Sequence, residues 1–128
     1  MNQNNIETQT HAFPAERLVA YQVAKEVLGD IARLGSRWPA YLRDQAERAS
    51  ASVVLNVAEG ASQPRGSGAK RRHYDIALAS AGEVAAVLDA AALLGHAAAE
   101  ELAVVRQRVG RLGALIGGLV RAHPGRRR

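Results

Sequence analysis

The stretch that decides the fold is Arg48–Gly60, RASASVVLNVAEG, read together with residues 77–88, ALASAGEVAAVL. Between Ala49 and Ala58 there is no charge, no Gly and no Pro, while Ser50, Ser52 and Asn56 stand among Ala, Val and Leu. Such a run predicts a helix buried on most sides. Each polar group inside it needs a partner, since leaving one unmatched costs roughly 1–3 kcal/mol. Ser52, Asn56 and Glu59 lie at i, i+4 and i+7, with Arg48 one turn earlier, and so form one polar line along the helix. A line of that kind calls for a complementary helix beside it.

The remainder of the chain supplies one. Its 128 residues fit a single domain, and with five aromatic residues the core has to be built from Ala, Val and Leu. Ala-rich cores favour closely spaced helices over sheets. A first helix is expected from Phe13-Pro14 to Leu34, with Ala20, Ala24, Val27, Ile31 and Leu34 inward, flanked by Tyr21 and Leu28. Gly35-Ser36 and Trp38-Pro39 end it, and Trp38 is expected to cover the bundle end. A second helix is expected over Ala40–Ser62, broken by Gln63–Gly68. Ser67 reads as the N-cap of a third helix reaching Leu94, with Gly95 just past its end. A fourth, from about Ala97 to Ala122, carries Ala98, Leu102, Val105, Val109, Leu112, Ile116 and Leu119 at heptad spacing. These elements describe an all-α, antiparallel up-down four-helix bundle over residues 13–122. Residues 1–12 are expected to be disordered, and residues 123–128 a basic tail.

Folding helices two and three about residues 65–66 sets Arg48 level with Glu83, Ser52 with Ser80, Asn56 with Asp75 and Glu59 with Arg72. The four pairings predict a hairpin held in register by hydrophilic contacts. In helix four, Gly110, Gly113 and Gly117 share a stripe that reads as roughly opposite the heptad face. Small residues there would let a second subunit approach, so a homo-oligomer is expected.

The net charge is +5, and fifteen of the seventeen cations are Arg. That fits phosphate recognition, for which the guanidinium fork is suited, and fits a GC-rich coding sequence equally well. Two clusters are candidate nucleic-acid contacts: Arg65, Lys70, Arg71 and Arg72 around the second turn, and Arg106, Arg108, Arg111 and Arg121 with the tail Arg126, Arg127 and Arg128. The two clusters are expected to mark separate regions, with the end of helix four far from the second turn. Enzyme chemistry is not expected. His11, His73, His96 and His123 fall in separate elements without metal-ligand spacing, and GSGAK at 66–70 lacks the length of a phosphate loop. No cofactor or metal is expected. The absence of cysteine excludes disulfides and thiolate metal sites. With no fully uncharged apolar window near 18 residues and no signal peptide at the start, a cytoplasmic protein without a membrane partner is expected.

The motif carries a resemblance. R-A-x-x-S-x-x-x-N-V-A-E-G, through Arg48, Ala49, Ser52, Asn56, Val57, Ala58, Glu59 and Gly60, followed by Ala77, Ser80, Glu83 and Val84, resembles the four-helix-bundle proteins encoded in intervening sequences of large-subunit ribosomal RNA genes. These are related to the accessory variability determinant (Avd) of diversity-generating retroelements. Tyr21, Ala24, Val27 and Leu28 also fit, so the likeness covers most of residues 13–120. It departs at Gln63–Gly68, where Pro and two Gly replace a shorter basic-polar link. The resemblance implies an up-down bundle assembling into a ring, typically a pentamer, and a family mostly without established activity. For the retroelement branch it implies RNA or DNA binding and association with a reverse transcriptase. A basic oligomer that binds nucleic acid with low sequence specificity is the reading carried forward. The alternative is a protein scaffold or reverse-transcriptase accessory subunit with no nucleic-acid function of its own.

Overall fold

A computed structural model describes residues 12–124. The disordered segment expected at the start falls almost wholly outside these residues, as does the Arg126–Arg128 tail. Within them lie four α-helices: α1 Val19–Leu34, α2 Ala40–Ser62, α3 Gly68–Leu93 and α4 Ala99–Ala122. They pack α1 on α2, α2 on α3, α3 on α4 and α4 back on α1, an up-down bundle.

Helix α2 has the bounds that its flanking Pro39 and Gln63-Pro64 dictate. Ser67 caps α3, its Oγ accepting from the Lys70 N–H at 3.1 Å. At the far end of α3, Gly95 takes φ +77°, and the His96 and Gly95 amides donate to Ala91 and Ala92 carbonyls at 2.9 and 3.1 Å. This is a Schellman closure, which requires the left-handed residue that Gly supplies. Two starts differ from expectation. The chain enters through a 3-10 turn, Pro14–Arg17, and an extended Leu18 before α1 begins. Helix α4 starts at Ala99 with Ala98 exposed as its cap, because the Gly95 closure delays re-entry into helical geometry.

The apolar positions that periodicity turns inward are all buried, Leu42, Ala46, Ala49, Val53 and Val57 on α2 and Tyr74, Ala77, Ala81, Val84, Leu88 and Ala91 on α3, and Val23 and Val87 join them. Trp38 is 3% exposed and closes one end of the bundle, so it is a lid and not a partner-facing anchor. Leu34 and Leu119 are only partly buried at the rim of the core. Helix α3 is long and apolar enough to cross a membrane by length and composition alone, although it carries Glu83 and Asp89. In the bundle it is a core helix, packed on both α2 and α4. The sequence criterion of an uncharged window passed over it for that reason.

Candidate functional site

The polar line on α2 meets α3 as a connected hydrogen-bond chain. The Ser52 and Ser80 hydroxyls lie 2.8 Å apart, and Ser80 is buried. The Asn56 amide donates to the Ser52 carbonyl at 2.9 Å and to its Oγ at 3.2 Å. That leaves the Asn56 Oδ1 facing His73 Nδ1 at 2.9 Å, so the histidine carries its proton there. Buried Ser50 satisfies itself by donating to the Ala46 carbonyl at 2.8 Å. Among the described residues no buried side-chain polar atom lacks a partner.

Three expected pairings are corrected. Glu83 accepts from Gln45 Nε2 at 2.8 Å, and Arg48, exposed, lines the same groove without an ion pair to it. Gln45 lies one turn before Arg48 and its short amide spans the gap. Asn56 meets His73 in place of Asp75, whose carboxylate is held by Arg71 Nε at 3.2 Å one turn earlier on α3. Glu59 is exposed and forms no ion pair with Arg72 among the described residues.

Gly60 ends the motif for a steric reason. A Cβ there would lie 2.6 and 2.7 Å from Tyr74 ring carbons, distances that real atoms do not adopt. The missing side chain lets the fully buried Tyr74 ring lie against the α2 backbone. The Gly60 carbonyl then accepts from Lys70 Nζ at 2.7 Å, and Ala61 from the same amine at 3.4 Å. A helix C-terminus exposes carbonyls and the negative end of its dipole, so an ammonium group suits it. Lys70 is 7% exposed, with Nζ also 5.4 Å from the Tyr74 centroid. Burial, with Arg65 nearby, lowers its pKa. Lys70 is therefore a structural cap, not the surface cation that a basic run in the sequence implied.

The largest correction concerns the two basic clusters. Helix α3 leaves the second turn and α4 returns antiparallel to it, so the end of α4 comes back to that turn. The Arg71 Nη1 reaches the His123 carbonyl at 3.5 Å, and the Tyr74 and His123 rings are 5.8 Å apart. A concavity of about 410 Å³ opens at this pole, lined by Arg17, Gln63, Arg65, Lys70, Tyr74 and His123 together with Pro14, Leu18, Ala61 and Leu119. None of those ten residues is acidic. Burial first, then the charges of Lys70 and Arg65, lower the His123 pKa. Arg72 and Arg121 are exposed in the nearest turns of α3 and α4.

The other arginines of α4 do not join this pole. Arg106 pairs with Asp89 at 3.1 Å. Arg108 bonds Glu26 at 3.3 Å and Asp30, a buried carboxylate also held by Arg33 at 2.9 Å. These contacts tie α4 to α3 and α1, so Arg106 and Arg108 are committed to the bundle. Arg111 is exposed. Arg17, His73, His123 and Asp30 were not singled out as site residues. The antiparallel topology alone could have signalled His123, whereas nothing local marks Asp30 as buried.

The glycines also move. Gly110, Gly113 and Gly117 each follow a buried residue, Val109, Leu112 and Ile116, and so flank the heptad face by about 100° instead of opposing it. Gly110 and Gly113 line a groove of about 150 Å³ against Leu78, Gly82 and Ala85 of α3. A Cβ at Gly82, Gly110 or Gly113 would meet nothing within 4 Å, so the groove is open. Gly117 is covered by its own Arg121.

The sequence profile of the 23S rRNA-intervening sequence protein family matches residues 16–118. Comparison with curated proteins returns no match. The match spans all of α1, α2 and α3 and most of α4, and takes in the Ser52–Asn56–Gly60 line and its partners on α3. The chain belongs to the 23S rRNA-intervening sequence protein family.

Proposed function

We propose that the protein is a non-enzymatic, oligomeric nucleic-acid-binding protein that holds phosphates at the pole formed by the second turn and the end of α4. The observation that carries this reading is the convergence of Arg17, Arg65, Lys70 and His123 on one concavity with no lining carboxylate. Arg72 and Arg121 extend the positive surface around it. Phosphate attraction of this kind is independent of base identity and sensitive to salt. With Tyr74 buried, extended base stacking is not part of the reading. Asp30, Asp75 and Asp89 are each engaged by arginine, and Glu83 by Gln45, which supports positioning over acid–base work.

The open groove at Gly82, Gly110 and Gly113 supports a homo-oligomer, a pentamer by family resemblance, in which each copy contributes one basic pole. A second reading, a protein scaffold or reverse-transcriptase accessory subunit, draws on the exposed Leu93 and Leu94 at the opposite pole. Titrating single-stranded RNA and DNA against the protein at rising salt separates them. Retention that weakens steeply with salt, and falls when Arg65, Arg71 and Arg72 become Ala, supports the first. A stable oligomer retaining neither RNA nor DNA at physiological salt supports the second.

A further inference from the structure

The pole is a pocket, not a flat basic surface. Its volume of about 410 Å³ is that of a site for one small ligand. Its two sides differ in chemistry. Arg17 enters from the 3-10 turn, Arg65 from the second turn and His123 from the end of α4; Arg17, Arg65 and Lys70 supply the positive charge. Pro14, Leu18, Ala61 and Leu119 form an aliphatic wall, and Gln63 supplies an amide with both donor and acceptor capacity.

A lining with three or more cationic groups and no carboxylate calls for an anion of more than one charge. An internal phosphodiester brings one negative charge and a chain leaving in both directions. A terminal phosphomonoester brings about −1.5 to −2 at neutral pH and a chain leaving in one. Only the second suits a concavity closed on the bundle side by Lys70 and Tyr74, both under 9% exposed.

We propose that this pocket holds the phosphate-bearing terminal nucleotide of a single strand, the phosphomonoester against Arg17, Arg65 and His123 and the sugar and base against Leu18, Ala61 and Leu119. The inference rests on the nucleic-acid reading above and narrows it from phosphates in general to strand ends. Aliphatic packing accepts any base, so the site selects the end and not the sequence. Burial first, and then the charges of Lys70 and Arg65, disfavour a proton on His123, a balance that a phosphate beside it would reverse.

The test uses one RNA sequence of about 12 nucleotides in three forms, with a 5′-phosphate, with a 3′-phosphate, and with hydroxyls at both ends. Fluorescence anisotropy is measured with the full chain, Arg65→Gln and Ala61→Leu. Arg65 is exposed on the turn, and Ala61→Leu fills the pocket without changing charge. One of the two phosphate-ended forms should bind about tenfold tighter than the hydroxyl-ended RNA. Both variants should erase that preference. If Ala61→Leu does not fold by circular dichroism, Arg65→Gln alone decides. Equal binding of all three forms overturns the pocket while leaving the phosphate-binding reading intact. Loss of binding to every form overturns both. Adenosine 5′-monophosphate binding as tightly as the RNA overturns the strand-end assignment in favour of a free nucleotide.

Discussion

The two poles of this bundle are built from the same helices and solve opposite problems. At one, Trp38 is driven into the core as a lid, Gly95 closes α3, and Glu100 and Glu101 sit in the first turn of α4 where its dipole favours carboxylates. At the other, Gly60 carries no side chain, Lys70 and Tyr74 are drawn inward over α2, and the rim is left to Arg17, Arg65 and His123. The first pole is sealed by a large apolar group. The second is sealed by a cation and left open above it. Evenly spread positive charge would not produce such a difference, and the phosphate-binding proposal rests on this asymmetry.

Four substitutions test that asymmetry, in falling order of effect. Trp38→Ala removes the lid and should cost about 3–5 kcal/mol in denaturant unfolding while leaving RNA affinity of the folded fraction unchanged. An equal loss of affinity would mean that the poles are coupled. Gly60→Ala forces the Tyr74 ring to move and should cost about 1–3 kcal/mol. Lys70→Met removes the ammonium from the Gly60 and Ala61 carbonyls, leaving Gly60 only the Gln63 amide, and should cost about 1–3 kcal/mol, a loss that a surface cation would not produce. Gly29→Ala, at an exposed helical site where a Cβ meets nothing within 4 Å, should instead stabilise by about 0.5–1 kcal/mol.

Most of the fold was legible in the sequence because Pro and Gly punctuate it. Pro39 and Gln63-Pro64 fix α2, Ser67 caps α3, and Gly95 must take a positive φ. The hairpin register was legible at Ser52 and Ser80, where two short hydroxyl side chains stand at one level across the hairpin. It failed where a competitor stood a turn away: Gln45 for Glu83, His73 for Asn56, Arg71 for Asp75. Levels along helices follow from rise per residue, whereas side-chain reach and lean decide the bonds. Lys70 was misread because charge in a basic run looks like surface until the neighbouring helix end is placed. The site itself was half legible. Its arginine at position 65 was marked, but joining it to Arg17 and His123 required following four helices round to their start.

The smallest expected effect is on pH. The His123 pKa is lowered in the folded chain, so its unfolded form binds the proton more readily. Stability from this group is present above the unfolded value of about 6.5 and is lost as pH falls through the lower folded one. Thermal unfolding midpoints between pH 7.5 and 5.5 should therefore fall slightly more for the native chain than for His123→Gln. A bound phosphate reverses the sign, since protonated His123 then gains a partner, and RNA affinity should rise over the same interval.

The most direct measurement compares the salt dependence of RNA affinity in two double variants, one at each pole. Arg17→Ala with Arg65→Ala removes rim cations, and Arg33→Ala with Arg37→Ala removes two exposed cations beside the Trp38 lid. The slope of log affinity against log salt should drop by about 2 in the first pair and hold its native value in the second. Equal slopes in both variants would contradict the claim that one pole of the bundle does the binding.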